Sequence, residues 1–119
     1  MNKLIKLAVS AALVSMASGA LACDYPKRAA VPDGATASKE QMIAGQKGVK
    51  DYMALMESYL SCIEAEEAAA VLELGNLDEK AKRQRADMFN KKYNAAVEEM
   101  NLVAEEFNLQ VRAYRQRDN

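Results

Sequence analysis

The chain contains no histidine, so it lacks the side chain that most often serves as a general base near neutral pH and most often ligates metals. It has only two cysteines, Cys23 and Cys62, which are 39 positions apart and form no Cys-x-x-Cys redox motif. Glycine is scarce, and Gly45 and Gly48 fall inside a helical pattern instead of a phosphate-binding loop. After the N-terminus no apolar run is long enough to span a bilayer. An excess of positive charge is missing as well, since the whole chain carries 16 basic and 17 acidic residues, no electrostatic footprint for nucleic acid. These absences leave little for acid–base, thiol, metal or nucleotide chemistry. The sequence therefore predicts a protein that is not an enzyme and needs no cofactor.

What is present begins with an export signal. Lys3 and Lys6 precede an apolar stretch from Leu7 to Val14, and Ala20-Leu21-Ala22 forms a small-x-small cleavage site, so residues 1–22 read as a secretory signal peptide. Its removal takes away two basic residues and leaves the mature chain, beginning at Cys23, at a net charge of −3. Two fates of Cys23 stand. The expected one is half of a disulfide with Cys62 in an oxidising compartment, since an exported chain with an even cysteine count pairs its cysteines; the alternative, a lipidated anchor, calls for a large aliphatic residue where the chain has Ala20 and leaves Cys62 unpaired. The expected location is periplasmic or secreted.

From Cys23 to Ala37 the chain holds both prolines, Pro26 and Pro32, and an Asp33-Gly34 turn signal, which predicts an extended strap. Ser38 with Gln41 is a capping box. Beyond it Met42, Val49, Tyr52, Met56, Tyr59, Leu60 and Ile63 recur at helical spacing, so the first helix should run from about 39 to 74 and stop at Gly75. Asn76 with Glu79 three residues on suggests a second helix from about 77 to 117, with the hairpin occupying 38–119. A connection this short makes the helices antiparallel neighbours. Facing residues then have numbers that sum to 151 or 152. Ile63 meets Phe89, Tyr59 meets Tyr93, Met56 meets Ala96 and Val49 meets Val103, with Gly45 opposite Phe107. The charges agree in register, as Glu67 meets Arg85, Lys47 meets Glu105 and Glu40 meets Arg112.

If the cysteines pair, the strap must double back. Cys62 lies about 36 Å along the helix from Ser38, and fourteen extended residues reach about 46 Å. Gly48, Leu55 and Cys62 repeat every seven residues on one flank, beside Tyr52 and Tyr59, and mark the expected track, with Val31 near Leu55.

The acidic pairs Glu66-Glu67, Glu98-Glu99 and Glu105-Glu106 read as solvated faces, because helical neighbours point about 100° apart and no Glu-x-x-His motif supplies the remaining ligands of a metal site. No metal site is predicted. The methionines at 42, 53, 56, 88 and 100 are spaced as core filling. One feature exceeds a simple hairpin: Met88, Ala95, Leu102 and Leu109 form a stripe at strict seven-residue spacing, about 200° round the helix from Tyr93, Met100 and Phe107. Such a stripe is either covered by the strap or ordinary exposed surface, or else it is the docking face for a protein partner. Asn94, Asn101 and Asn108 repeat at the same interval, placed to hydrogen-bond strap or partner.

Cys23-Asp24-Tyr25-Pro26, Pro32-Asp33-Gly34, Ala37-Ser38, Met42, Gln46, Val49, Tyr52 and Tyr59-Leu60-Ser61-Cys62 together resemble a group of short exported helical proteins of Gram-negative bacteria whose function is unknown. The resemblance covers about forty residues. It implies export, a helical fold and the cysteine pair, and carries over no functional residue. The sequence thus leads to a non-enzymatic periplasmic protein acting through protein–protein association, with a second copy of itself or an envelope component as partner. The alternative is a chaperone that binds unfolded chains, although the Leu-Thr-x-x-Gln motifs of exported helical chaperones are missing here.

Overall fold

The computed structural model describes residues 22–117 and is all-α, with two helices and no strand among them. The expected signal segment up to Leu21 lies outside the described residues. Helix α1 spans Lys39–Leu74 and α2 spans Glu79–Arg117.

Each boundary has a local cause. At the start of α1 the Gln41 amide donates to Ser38 Oγ at 3.1 Å and the Ser38 amide donates to Gln41 Oε1 at 2.7 Å, a complete capping box worth about 1 kcal/mol. Gly75, at φ 71°, ends the helix in a conformation that side-chain-bearing residues resist. The second helix begins later than Asn76 predicts. Its cap is Asp78, whose carboxylate accepts from the Ala81 amide at 2.7 Å, and half-buried Leu77 belongs to the connection. Aspartate and asparagine cap equally well, so tertiary packing of the connection decides between them.

The helices pack as an antiparallel hairpin in the register set by the sum rule. Arg85 donates Nε and Nη2 to the two Glu67 oxygens at 3.0 and 2.9 Å. The other two cross-helix charge pairs do not form: Lys47 turns to Asp51 on its own helix at 2.7 Å, and no ion pair joins Glu40 to Arg112 among the described residues. The core comprises Val49, Tyr52, Met56, Tyr59, Leu60, Ile63, Ala96 and Val103, with half-buried Phe89, Tyr93, Val97, Met100 and Phe107 against it. Each large aliphatic side chain buried this way contributes about 1.5–3 kcal/mol. Six of the eight buried residues come from α1, and α2 covers them mainly with half-buried side chains.

Cys23 is bonded to Cys62, with their Cα atoms 5.7 Å apart. The strap between them runs back along the hairpin, as the linkage requires. No helix of the described residues is long and apolar enough to cross a membrane.

Candidate functional site

The strap enters the groove between the helices, so that one face of the hairpin presents three chain segments side by side. Tyr25 places its ring edge-on to Tyr59, centroids 5.0 Å apart. Arg28 reaches the other helix, with Nε 2.6 Å from Glu99 Oε1 and Nη2 3.1 Å from Glu106 Oε2. Those two glutamates are two turns apart on one flank of α2, so a single fork clamps both. Ala29 and Val31 pack on the core, and Pro32 crosses Gly45, where an added Cβ would lie 2.6 Å from the proline ring. Gly34 passes against α2. Its amide donates to Gln110 Oε1 at 2.8 Å, and a Cβ there would overlap the Gln110 carbonyl. The Asp33 turn then delivers the chain to Ser38, and Arg117 donates Nη2 to the Ala37 carbonyl at 2.6 Å.

This path corrects the expected track over Gly48 and Leu55. A Cβ built on Gly48 meets no atom within 4 Å, and Leu55 is 57% exposed. A line along one helix would bury apolar strap residues on one side only. The inter-helix groove contacts them on both, so Val31 joins the core instead of covering Leu55.

Beneath the strap lies Tyr52, only 3% exposed, whose hydroxyl has no hydrogen-bond partner among the protein groups. Burial raises its pKa above 10.0, and neighbouring Tyr25 and Glu99 add to the shift while Arg28 opposes it. Tyr25 shifts the same way, by burial first and then by Glu99 and Tyr59. Both phenols are therefore held in their neutral forms.

The α2 stripe stays bare. Met88, Leu102 and Leu109 are 72%, 48% and 53% exposed and Ala95 is exposed as well, so the strap does not cover them. The stripe runs beside Glu99 and Glu106, on the outer edge of the strap-covered face.

On the opposite face the groove is open. A depression of about 440 Å³ is lined by Val49, Lys50, Met53, Glu57, Ala104 and Asn108, and a second of about 250 Å³ shares Gln46 and Phe107 with it and continues towards Ile43 and Val111. At about 100° per residue, Ala104 lies roughly 140° round α2 from Glu99, and Asn108 roughly 200° from Glu106. The open groove is thus the counterpart of the one the strap fills. Asn108 lines it without bonding the strap, and Asn94 and Asn101 are exposed on the same flank.

The sequence alone did not expose this open groove or the Arg28 clamp. The clamp had a signal, an arginine in the strap and glutamates seven apart on α2, but it became readable only once the strap's face was known. Among the described residues no group of three or more metal-ligating side chains comes together. No family model matches this chain, and neither a curated protein nor a solved structure is significantly similar to it.

Proposed function

We propose that this is a non-enzymatic protein of the bacterial envelope that acts through protein–protein association, docking another envelope protein through the α2 stripe. The observation that carries this reading is the exposure of Met88, Leu102 and Leu109 on a hairpin whose strap is available to cover apolar surface and is used elsewhere. Exposed apolar residues in a row, flanked by charge, are the usual form of a surface that is covered in the working state. The stripe extends about 32 Å from Met88 to Leu109 at the helical rise and is one helix wide, which suits a helical partner laid alongside. The signal-like N-terminus and the cysteine pair support a periplasmic location. The disulfide also occupies the Cys23 sulfur that a lipid anchor would need, which favours ordinary cleavage.

The test is site-specific photo-crosslinking from Leu102 in a Gram-negative envelope. A discrete, saturable adduct that disappears when Leu109 is changed to Asp is expected. The absence of any adduct refutes docking through the stripe, and a smear of unrelated proteins, with suppression of their aggregation in vitro, turns the reading to the chaperone alternative.

A further inference from the structure

We propose that the open groove is a self-association surface, through which two copies of this chain pack groove to groove into an antiparallel four-helix bundle with both straps on the outside. This deepens the association reading and shares its premise that bare apolar surface is functional, but it uses a different face from the stripe.

Three observations select a second copy as the occupant. The first is self-complementary charge. Lys50 and Glu57 both line the groove on α1, seven residues apart, with Met53 and Ala54 midway between them. A symmetric pair of antiparallel helices related by a two-fold axis at Met53 and Ala54 sets Lys50 of each copy against Glu57 of the other. The same operation gives both contacts, as an isologous interface demands. Neither residue has an ion-pair partner within the described part of its own chain.

The second is the composition of the α2 wall. Along this flank Asn94, Val97, Asn101, Ala104, Asn108 and Val111 follow one another at spacings of three and four without a charge. The strap-side flank of the same helix carries Lys92, Glu99 and Glu106 in the equivalent positions. Loss of charge with retention of short polar and small apolar groups is the composition of an interface centre. Given the hairpin register, the same axis crosses α2 near residue 98, and the side chains of this wall on either side of it, Val97 and Asn101, are uncharged.

The third is area. Along α1 the two depressions run from Lys39 to Glu57, about 27 Å, and two packed helices are about 20 Å wide, a footprint of roughly 500–600 Å² per copy. Counted over both copies that is about 1,000–1,200 Å², the lower end of the range of specific interfaces. A lone helix stripe offers about half the width.

Sedimentation equilibrium on the mature, disulfide-bonded protein tests the arrangement, with Lys50→Glu, Glu57→Lys, the double swap, and Leu102→Asp/Leu109→Asp. Wild type is expected to be a dimer. Each single charge reversal places two like-charge contacts in the interface and should weaken it at least about tenfold, while the double swap restores it. Both residues are exposed in the hairpin, so far-UV circular dichroism should be unchanged. The stripe variant should dimerise as wild type does. A wild-type monomer at its highest soluble concentration overturns the proposal, as does a dimer that survives the charge reversals. A dimer abolished only by the stripe substitutions moves self-association to the other face. Loss of the Leu102 crosslink with the dimer intact would defeat the docking reading and leave this one standing.

Discussion

Replacing Cys23 and Cys62 together by serine opens a covalent loop of about forty residues that contains the whole strap and most of α1. In the chain-entropy account closing such a loop is worth about 4 kcal/mol. The strap has little else to hold its first half. Between Asp24 and Pro32 no backbone hydrogen bond to either helix forms among the described residues; the first is the Gly34 amide to Gln110. Arg28 is half exposed, so each of its two ion pairs contributes about 1 kcal/mol at most. Ordering each backbone residue costs about 1–2 kcal/mol, so without the covalent link the side-chain contacts of Tyr25, Ala29 and Val31 do not hold this segment in place. The serine variant should therefore keep its helical spectrum, lose about 4 kcal/mol in urea unfolding and melt roughly 15–30 °C lower. Trypsin should cut first after Lys27 and Arg28, which the oxidised protein protects. A loss below about 1 kcal/mol with both sites still protected would refute the argument, because the strap would then be seated by its side chains alone.

The two α1 glycines give an internal contrast. Gly45→Ala forces its new methyl against the Pro32 ring and should cost about 1–3 kcal/mol, whereas Gly48→Ala points into open space and should stabilise by about 0.5–1 kcal/mol; equal effects in urea titration would contradict the strap path. Tyr52→Phe removes a buried hydroxyl that has no protein partner, so the variant should be as stable as wild type or more so by up to about 1 kcal/mol, and a clear loss of stability would show that the hydroxyl is bonded. Raised tyrosine pKa values mean that the folded state holds its phenolic protons longer than the unfolded chain. Stability should be fully present below about pH 10 and fall as the pH rises through the raised values, with less of a fall in Tyr52→Phe, as followed by circular dichroism against pH. Glu67→Gln leaves Arg85 one oxygen acceptor and one amide group, and should cost less than about 1 kcal/mol at this half-exposed pair near the hairpin end.

The hairpin was legible because its signals are local and repeat: a capping box, a terminating glycine, and apolar partners that satisfy one sum along about five turns. Glu67 and Arg85 confirm that register at one end. The disulfide followed from the even cysteine count, and its reach fixed the strap's direction. The track of the strap was not legible, for a physical reason. Gly48 and Leu55 share a flank with Cys62, yet an extended chain settles where it touches two helices, and that groove exists only after α1 and α2 have packed. Lys47 had two carboxylates within reach and took Asp51, because a neighbour one turn away costs less side-chain ordering than a partner on the other helix. The open groove is invisible in the sequence for a related reason: which inter-helix groove the strap fills and which it leaves vacant depends on the packed pair, and the periodicity of one helix does not encode it.

The strap's attachments also have an order in time. Its covalent partner Cys62 lies only 39 positions downstream, within α1, so a chain that enters an oxidising compartment N-terminus first can close that bond before α2 has packed. Its polar attachments are the reverse. Arg28 waits for Glu99 and Glu106, the Gly34 amide waits for Gln110 76 residues on, and the Ala37 carbonyl waits for Arg117, 80 residues on. An early covalent leash thus holds the segment near its seat, and the last turn of α2 locks it in place.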